Sequence, residues 1–155
     1  MNVLLQLQQA RRNTLALLAT ITEEQATTIP TDGNNHLLWH AGHLYVTLDK
    51  FAFQSLKQNT LHDPLCPTYF ARGTSPLDWP SEQLVYTLAT VHQLLLKQLE
   101  QLEQLAQINF DQSVPALKTS TGFEMTTYQA MLTYALYHEG MHLGAMKLLK
   151  RLASA

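Results

Sequence analysis

Apolar positions recur at helical spacing in four stretches of the chain, and turn-forming residues separate them. The first stretch runs from about Asn2 to Ile21, with a further turn at Thr22-Glu23-Glu24-Gln25-Ala26 before Pro30, Asp32 and Gly33 break it. Asn34 or Asn35 is placed to cap a second helix over about His36 to Lys57, because a short polar side chain there accepts from backbone N–H groups that have no helical partner. Its deep stripe reads Leu37, Ala41, Leu44, Leu48, Phe51. A third helix is predicted to start at a Ser81 cap, with Glu82 in its first turn, and to carry Leu84, Leu88, Val91, Leu95, Leu99 and Leu102 on one face. Thr126 or Thr127 caps the last helix, which continues to about Leu152.

Two long connections lie between these helices. Gln58 to Pro80 holds four of the six prolines, and Asn109 to Met125 holds Pro115 and Gly122. Neither sustains a period, and nothing alternates apolar with polar residues for more than a few positions, so no strand is expected. The fold class that follows is all-α: a four-helix bundle whose long connections make crossovers rather than a simple up-down-up-down path. At 155 residues, the whole of 1–155 reads as one domain with room for a real core.

Composition narrows the function classes. Only 14% of residues are charged, against about 25% in an average globular protein. Gln, Thr and Leu fill the gap, which suits a chain with some self-associating surface. A formal charge of −2 leaves no basic footprint for nucleic acid and no stripe for anionic lipid. No apolar run approaches the roughly 18 residues of a membrane span. Arg11 and Arg12 follow the first apolar residues, the wrong order for a signal peptide. The lone Cys66, in a Pro-flanked stretch, excludes a disulfide framework and reads as an ordinary loop thiol in a reducing compartment. A soluble cytoplasmic protein is expected.

The chemistry lies in the histidines. On the last helix Met131, Ala135, His138, His142, Ala145, Leu149 and Leu152 are spaced 4, 3, 4, 3, 4, 3, the seam that a helix turns toward a bundle core. Burying one imidazole calls for a hydrogen-bond partner; burying two, one turn apart on the same face, calls for a shared one. Imidazoles at i and i+4 can bind one cation together, and a hydrogen-bonded core pair is the bland alternative. The same residues satisfy the H-E-x-x-H pattern of zinc proteases. The tail after His142 has no His, Asp, Glu or Cys to serve as their downstream ligand, however, and Gly140 does nothing for the helix. A third ligand must come from upstream. His36, His40 and His43 share a flank of the second helix with Thr47, and spacing alone cannot choose among them or exclude a solvated polar face. His62 reads as a loop surface residue and His92 as a boundary residue.

Trp39-His40-Ala41-Gly42-His43-Leu44 followed by His138-Glu139-Gly140-Met141-His142-Leu143-Gly144 resembles the DinB/YfiT-like superfamily over essentially the whole chain. Those proteins are four-helix bundles with long crossovers. A Trp-x-x-x-His element supplies one metal ligand, and a His-x-x-x-His-x-Gly element supplies two. The resemblance therefore implies His43, His138 and His142 as ligands of one divalent metal ion, with Zn or Ni favoured by imidazole donors. Ala145 stands where the family often has Gln, which implies more apolar surroundings. It further implies a metal-dependent enzyme that joins a low-molecular-weight thiol to an electrophilic substrate, or a related hydrolase or isomerase, and a homodimer. Three protein ligands would leave an open position beside a pocket, expected along Gln58 to Pro80. A non-catalytic metal-binding or stress-associated module is the alternative, and would need that position closed, for instance by His40. A plain helical interaction protein with a chance His cluster would bind no metal.

Overall fold

The computed structural model describes residues 2–58, 63–79, 86–119 and 122–154. Asn2 opens α1 (Val3–Leu18) by accepting from the Leu5 N–H, and Thr22 opens α2 (Glu23–Thr27) in a reciprocal capping box with Gln25. Helix α3 (Leu37–Leu48) is capped by His36, whose Nδ1 accepts from the Trp39 N–H, so neither Asn34 nor Asn35 has the expected role. The chain continues through a π-helical turn over Asp49–Phe53 and a 3₁₀ turn over Gln54–Leu56. Pro67 then sits in the first turn of the short α4 (Cys66–Phe70), where a missing N–H costs nothing.

Helix α5 (Leu88–Glu103) is capped by Thr87, and α6 (Tyr128–Leu152) by Thr127. The sequence pattern predicts an earlier start for the third helix. Its Ser81 cap, Glu82 and Leu84 lie outside the described residues, and the described helix starts seven residues after Ser81. Between α5 and α6 an antiparallel hairpin, β1 (Ser113–Lys118) and β2 (Glu124–Thr127), occupies a stretch expected to be irregular. Its pairing slips between Ser113 and Leu117, and Pro115 sits inside β1. A strand so short, interrupted by a proline tolerated only at an edge, leaves little alternation to read.

The four long helices form a bundle in which α1 and α3 each pack on both α5 and α6. Helices consecutive in the chain, α1 with α3 and α5 with α6, therefore lie diagonally, which is what the long connections make room for. Two apolar clusters fill the bundle. One gathers Leu15, Leu18, Leu37, Leu44, Leu95 and Met146, the other Leu4, Leu7, Leu48, Leu102, Met131 and Leu132. Between them lies a buried polar layer. Arg11 on α1 donates to both carboxylate oxygens of Glu139 on α6, at 2.9 Å each, and to Gln98 Oε1 on α5 at 2.7 Å. Thr14 donates to Glu139 Oε1 at 2.8 Å, and Gln98 Nε2 to the Tyr45 carbonyl on α3 at 2.9 Å. Arg11 and Gln98 are wholly buried and Glu139 is 1% exposed. A bidentate pair whose remaining donors and lone pairs are also used is the form in which buried charges are tolerated.

Candidate metal centre

Helix α3 is buried far beyond its predicted stripe. Leu37, Leu38, Trp39, Ala41, Gly42, His43, Leu44, Tyr45 and Leu48 are all buried, because α4 and the loop after it cover the flank that a solvated polar face would need. His36 and His43 are 4% and 7% exposed, so a solvated polar face is excluded for both. On α6 the predicted seam is right through His142, and then the buried position shifts to Met146; Leu152 is exposed.

His43, His138 and His142 converge between α3 and α6, each offering a ring nitrogen within 4.8 Å of the others. Their ring centroids are 4.4 Å apart for His138–His142, 4.9 Å for His43–His142 and 5.1 Å for His43–His138. Such a group can hold a metal ion. The hydrogen bonds around it set which atoms are available. His43 Nδ1 lies 2.7 Å from the Phe70 carbonyl oxygen, which can only accept. The proton is therefore on Nδ1, and Nε2 keeps its lone pair, with Thr47 Oγ1 3.3 Å away. Trp39 stacks on the same ring at 4.7 Å and 9°, and its indole N–H donates to Thr74 Oγ1 at 2.9 Å. The i to i+4 spacing of Trp39 and His43 makes that stack.

His40 does not join the trio. Its Nδ1 lies 2.8 Å from His142 Nδ1, and it is not among the three histidines whose ring nitrogens all lie within 4.8 Å of one another. When His142 donates in this pair, its Nε2 is left with a free lone pair. His36 caps α3 and meets Trp79 edge-on, away from the cluster. His92 is a half-buried boundary residue as expected, and His62 lies outside the described residues.

Burial penalises the charged imidazolium, so every ring here is held neutral. His138 is lowered to about 4, by burial first and then by His43. His142 is lowered to about 2 by burial, with His138, His43 and His40 adding to it. His43 is lowered by burial, partly opposed by its bond to Phe70. Neutral imidazoles with free lone pairs are what a borderline divalent cation requires. The donor set therefore fits such an ion.

Glu139 has no part in this chemistry. Arg11 and Thr14 use both its oxygens on the other side of α6, which removes the water-activating base that a zinc protease needs. Cys66 is wholly buried, and burial holds its thiol up at about 11, far from a nucleophile at neutral pH.

A cavity of about 750 Å³ opens beside the cluster, with His43 and His138 in its wall. Thr47, Lys50, Phe51 and Gln54 continue the lining along α3 and its π turn; Pro67, Ala71 and Arg72 come from the long connection, and Leu117, Lys118 and Thr119 from the hairpin. The expected pocket along Gln58 to Pro80 is thus shared with two other elements. Two features escaped the sequence reading. One is the Arg11–Glu139 layer, signalled by Arg11 interrupting the stripe Leu4, Leu7, Leu15, Leu18. The other is the hairpin wall, for which no local signal existed.

No helix of the described residues is long and apolar enough to cross a membrane. The family model of the DinB superfamily matches residues 6–146. No curated protein matches the chain.

Proposed function

The chain belongs to the DinB superfamily, and on that premise we propose that His43, His138 and His142 hold one divalent ion, Zn or Ni, in a metal-dependent enzyme joining a low-molecular-weight thiol to an electrophile. The observation that carries this reading is the convergence of three neutral, buried imidazoles at the wall of a cavity large enough for a small molecule. Bound there, such an ion supplies Lewis acidity, which makes a thiolate or hydroxide available near neutral pH.

The protein's own groups set the stage. Phe70 and His40 orient the rings of His43 and His142, and Thr47 Oγ1 at 3.3 Å is the neighbour that an ion would displace from His43 Nε2. Trp39 and Phe70 exclude water from the α3 side. His40 is engaged with His142, and that hydrogen bond competes with its use as a fourth ligand, which favours an open catalytic centre over a closed structural one. We extend the proposal to one domain over 1–155, a cytoplasmic location and a homodimer. For the dimer, Tyr137, Met141, Leu148 and Leu152 leave large apolar side chains exposed along α6.

Elemental analysis of protein purified without added metal tests the reading. Close to one equivalent of Zn or Ni is expected, lost in His138→Ala and His142→Ala with the helical circular dichroism retained. Conjugation of glutathione or bacillithiol to a bromobimane should follow metal content. A protein that neither carries nor takes up either ion overturns the proposal.

A further inference from the structure

The charged residues of the cavity are all of one sign. Lys50 at the π turn, Arg72 after α4 and Lys118 at the end of β1 line it. Among the described lining residues there is no Asp or Glu. A chain with 10 basic and 12 acidic residues and a net charge of −2 does not produce this by being basic. The three side chains are exposed, and the ion pairs among the described residues are Arg11–Glu139 and Arg12–Glu103, so no described carboxylate lies within ion-pair reach of them. Like charges gathered around one opening repel, and a bound anion relieves that repulsion. They come from three different elements, brought together by the fold alone. Three cationic side chains carry charge enough for more than one anionic group, so the arrangement suits a molecule that bears several.

We propose that the cavity binds a small polyanionic molecule, bearing carboxylate or phosphate groups, with Lys50, Arg72 and Lys118 holding its charges and its reactive end directed to His43 and His138. The proposal deepens the functional reading above and rests on it only for the reactive end. The ammonium groups act as point charges, while the Arg72 guanidinium offers a fork matched to carboxylate or phosphate. Phe51, Leu117 and Tyr134 supply apolar wall to the same cavity.

The anion site is tested first without metal. Succinate and inorganic phosphate are titrated into the metal-free protein at low ionic strength, followed by amide chemical shifts. Saturable binding of at least one is expected, the tighter naming the preferred group, with weakening as salt is raised. Each of Lys50→Ala, Arg72→Ala and Lys118→Ala should weaken it by about two- to fivefold, the range of an exposed ion pair, and the triple variant should abolish it. No saturable binding, or equal binding by the triple variant, overturns the proposal. In the Zn-loaded protein, mercaptosuccinate should then bind about tenfold or more tightly than 2-mercaptoethanol, and the triple variant should lose that preference. If both thiols bind equally to the parent, the proposal falls. If neither binds while succinate does, the thiol reading falls and the anion site stands.

Discussion

His40 Nδ1 and His142 Nδ1 lie 2.8 Å apart, so the two rings of this pair share a single proton between facing nitrogens. This contact separates two histidines that look alike in the sequence. His142 belongs to the group with His43 and His138, whereas His40 meets that group through its hydrogen bond to His142.

Single alanine variants of the α3 histidines should therefore fall in a definite order. His43→Ala removes a ring nitrogen of the cluster and should all but abolish tight metal binding. His40→Ala removes an orienting partner and should cost about 10–100-fold in affinity. His36→Ala should leave affinity nearly unchanged. Competition titrations with a chelator rank the three, and a greater loss in His40→Ala than in His43→Ala would reverse the ligand assignment.

Glu139 should behave as a structural residue despite standing inside H-E-x-x-H. Glu139→Gln leaves the wholly buried Arg11 guanidinium without its counter-charge, and breaking a buried pair this way costs about 3–5 kcal/mol. Urea denaturation should show that loss, while the folded variant still binds metal. A variant as stable as the parent but unable to bind metal would restore a role for Glu139 at the centre.

Glycines on the two histidine helices should respond in opposite directions to alanine. A Cβ at Gly42 would collide with the Phe70 ring. Overpacking of that kind costs about 1–3 kcal/mol, and displacing Phe70 also disturbs the carbonyl that orients His43. A Cβ at Gly140 meets nothing within 4 Å, so Gly140→Ala should stabilise the helix by up to about 1 kcal/mol. Thermal melts of both variants, with metal affinity measured for Gly42→Ala, check the pair; a Gly42→Ala protein unchanged in both would contradict the packing described.

Acid should weaken the cap of α3. Burial lowers His36 from 6.5 to about 4, partly opposed by its own backbone. Its neutral Nδ1 accepts from the Trp39 N–H, and protonation there removes the acceptor. Folding favours the neutral ring, so this contribution is fully present above about pH 6.5 and is lost as the pH falls through about 4. The other buried histidines titrate in the same direction, so the comparison is with His36→Asn, which keeps a capping oxygen that does not titrate in this range. Between pH 6.5 and 4 the variant should lose less stability than the parent, by about 1 to 3 kcal/mol, from the worth of a cap to the full linkage of the His36 shift. Parallel stability losses in urea titrations at several pH values would rule out the cap as the cause.

Local pattern was enough to place four helices, because amphipathic spacing and capping residues act over a few positions; Thr127 before α6 is found where the sequence puts it. It was also enough to pick out His138 and His142, since a helix face is periodic and two imidazoles on a core seam are visible as such. Beyond that, local rules ran out. Whether His36, His40 or His43 joins them depends on where α4 and its following loop fold back, because Phe70 is what buries and orients His43. Arg11 and Glu139 are 128 residues apart, and only the packing of α1 on α6 turns two ordinary charges into one buried pair. Lys50, Arg72 and Lys118 likewise become a single cationic wall through tertiary contact alone. Periodicity records which face a helix buries, whereas the identity of what meets that face is a property of the assembled bundle.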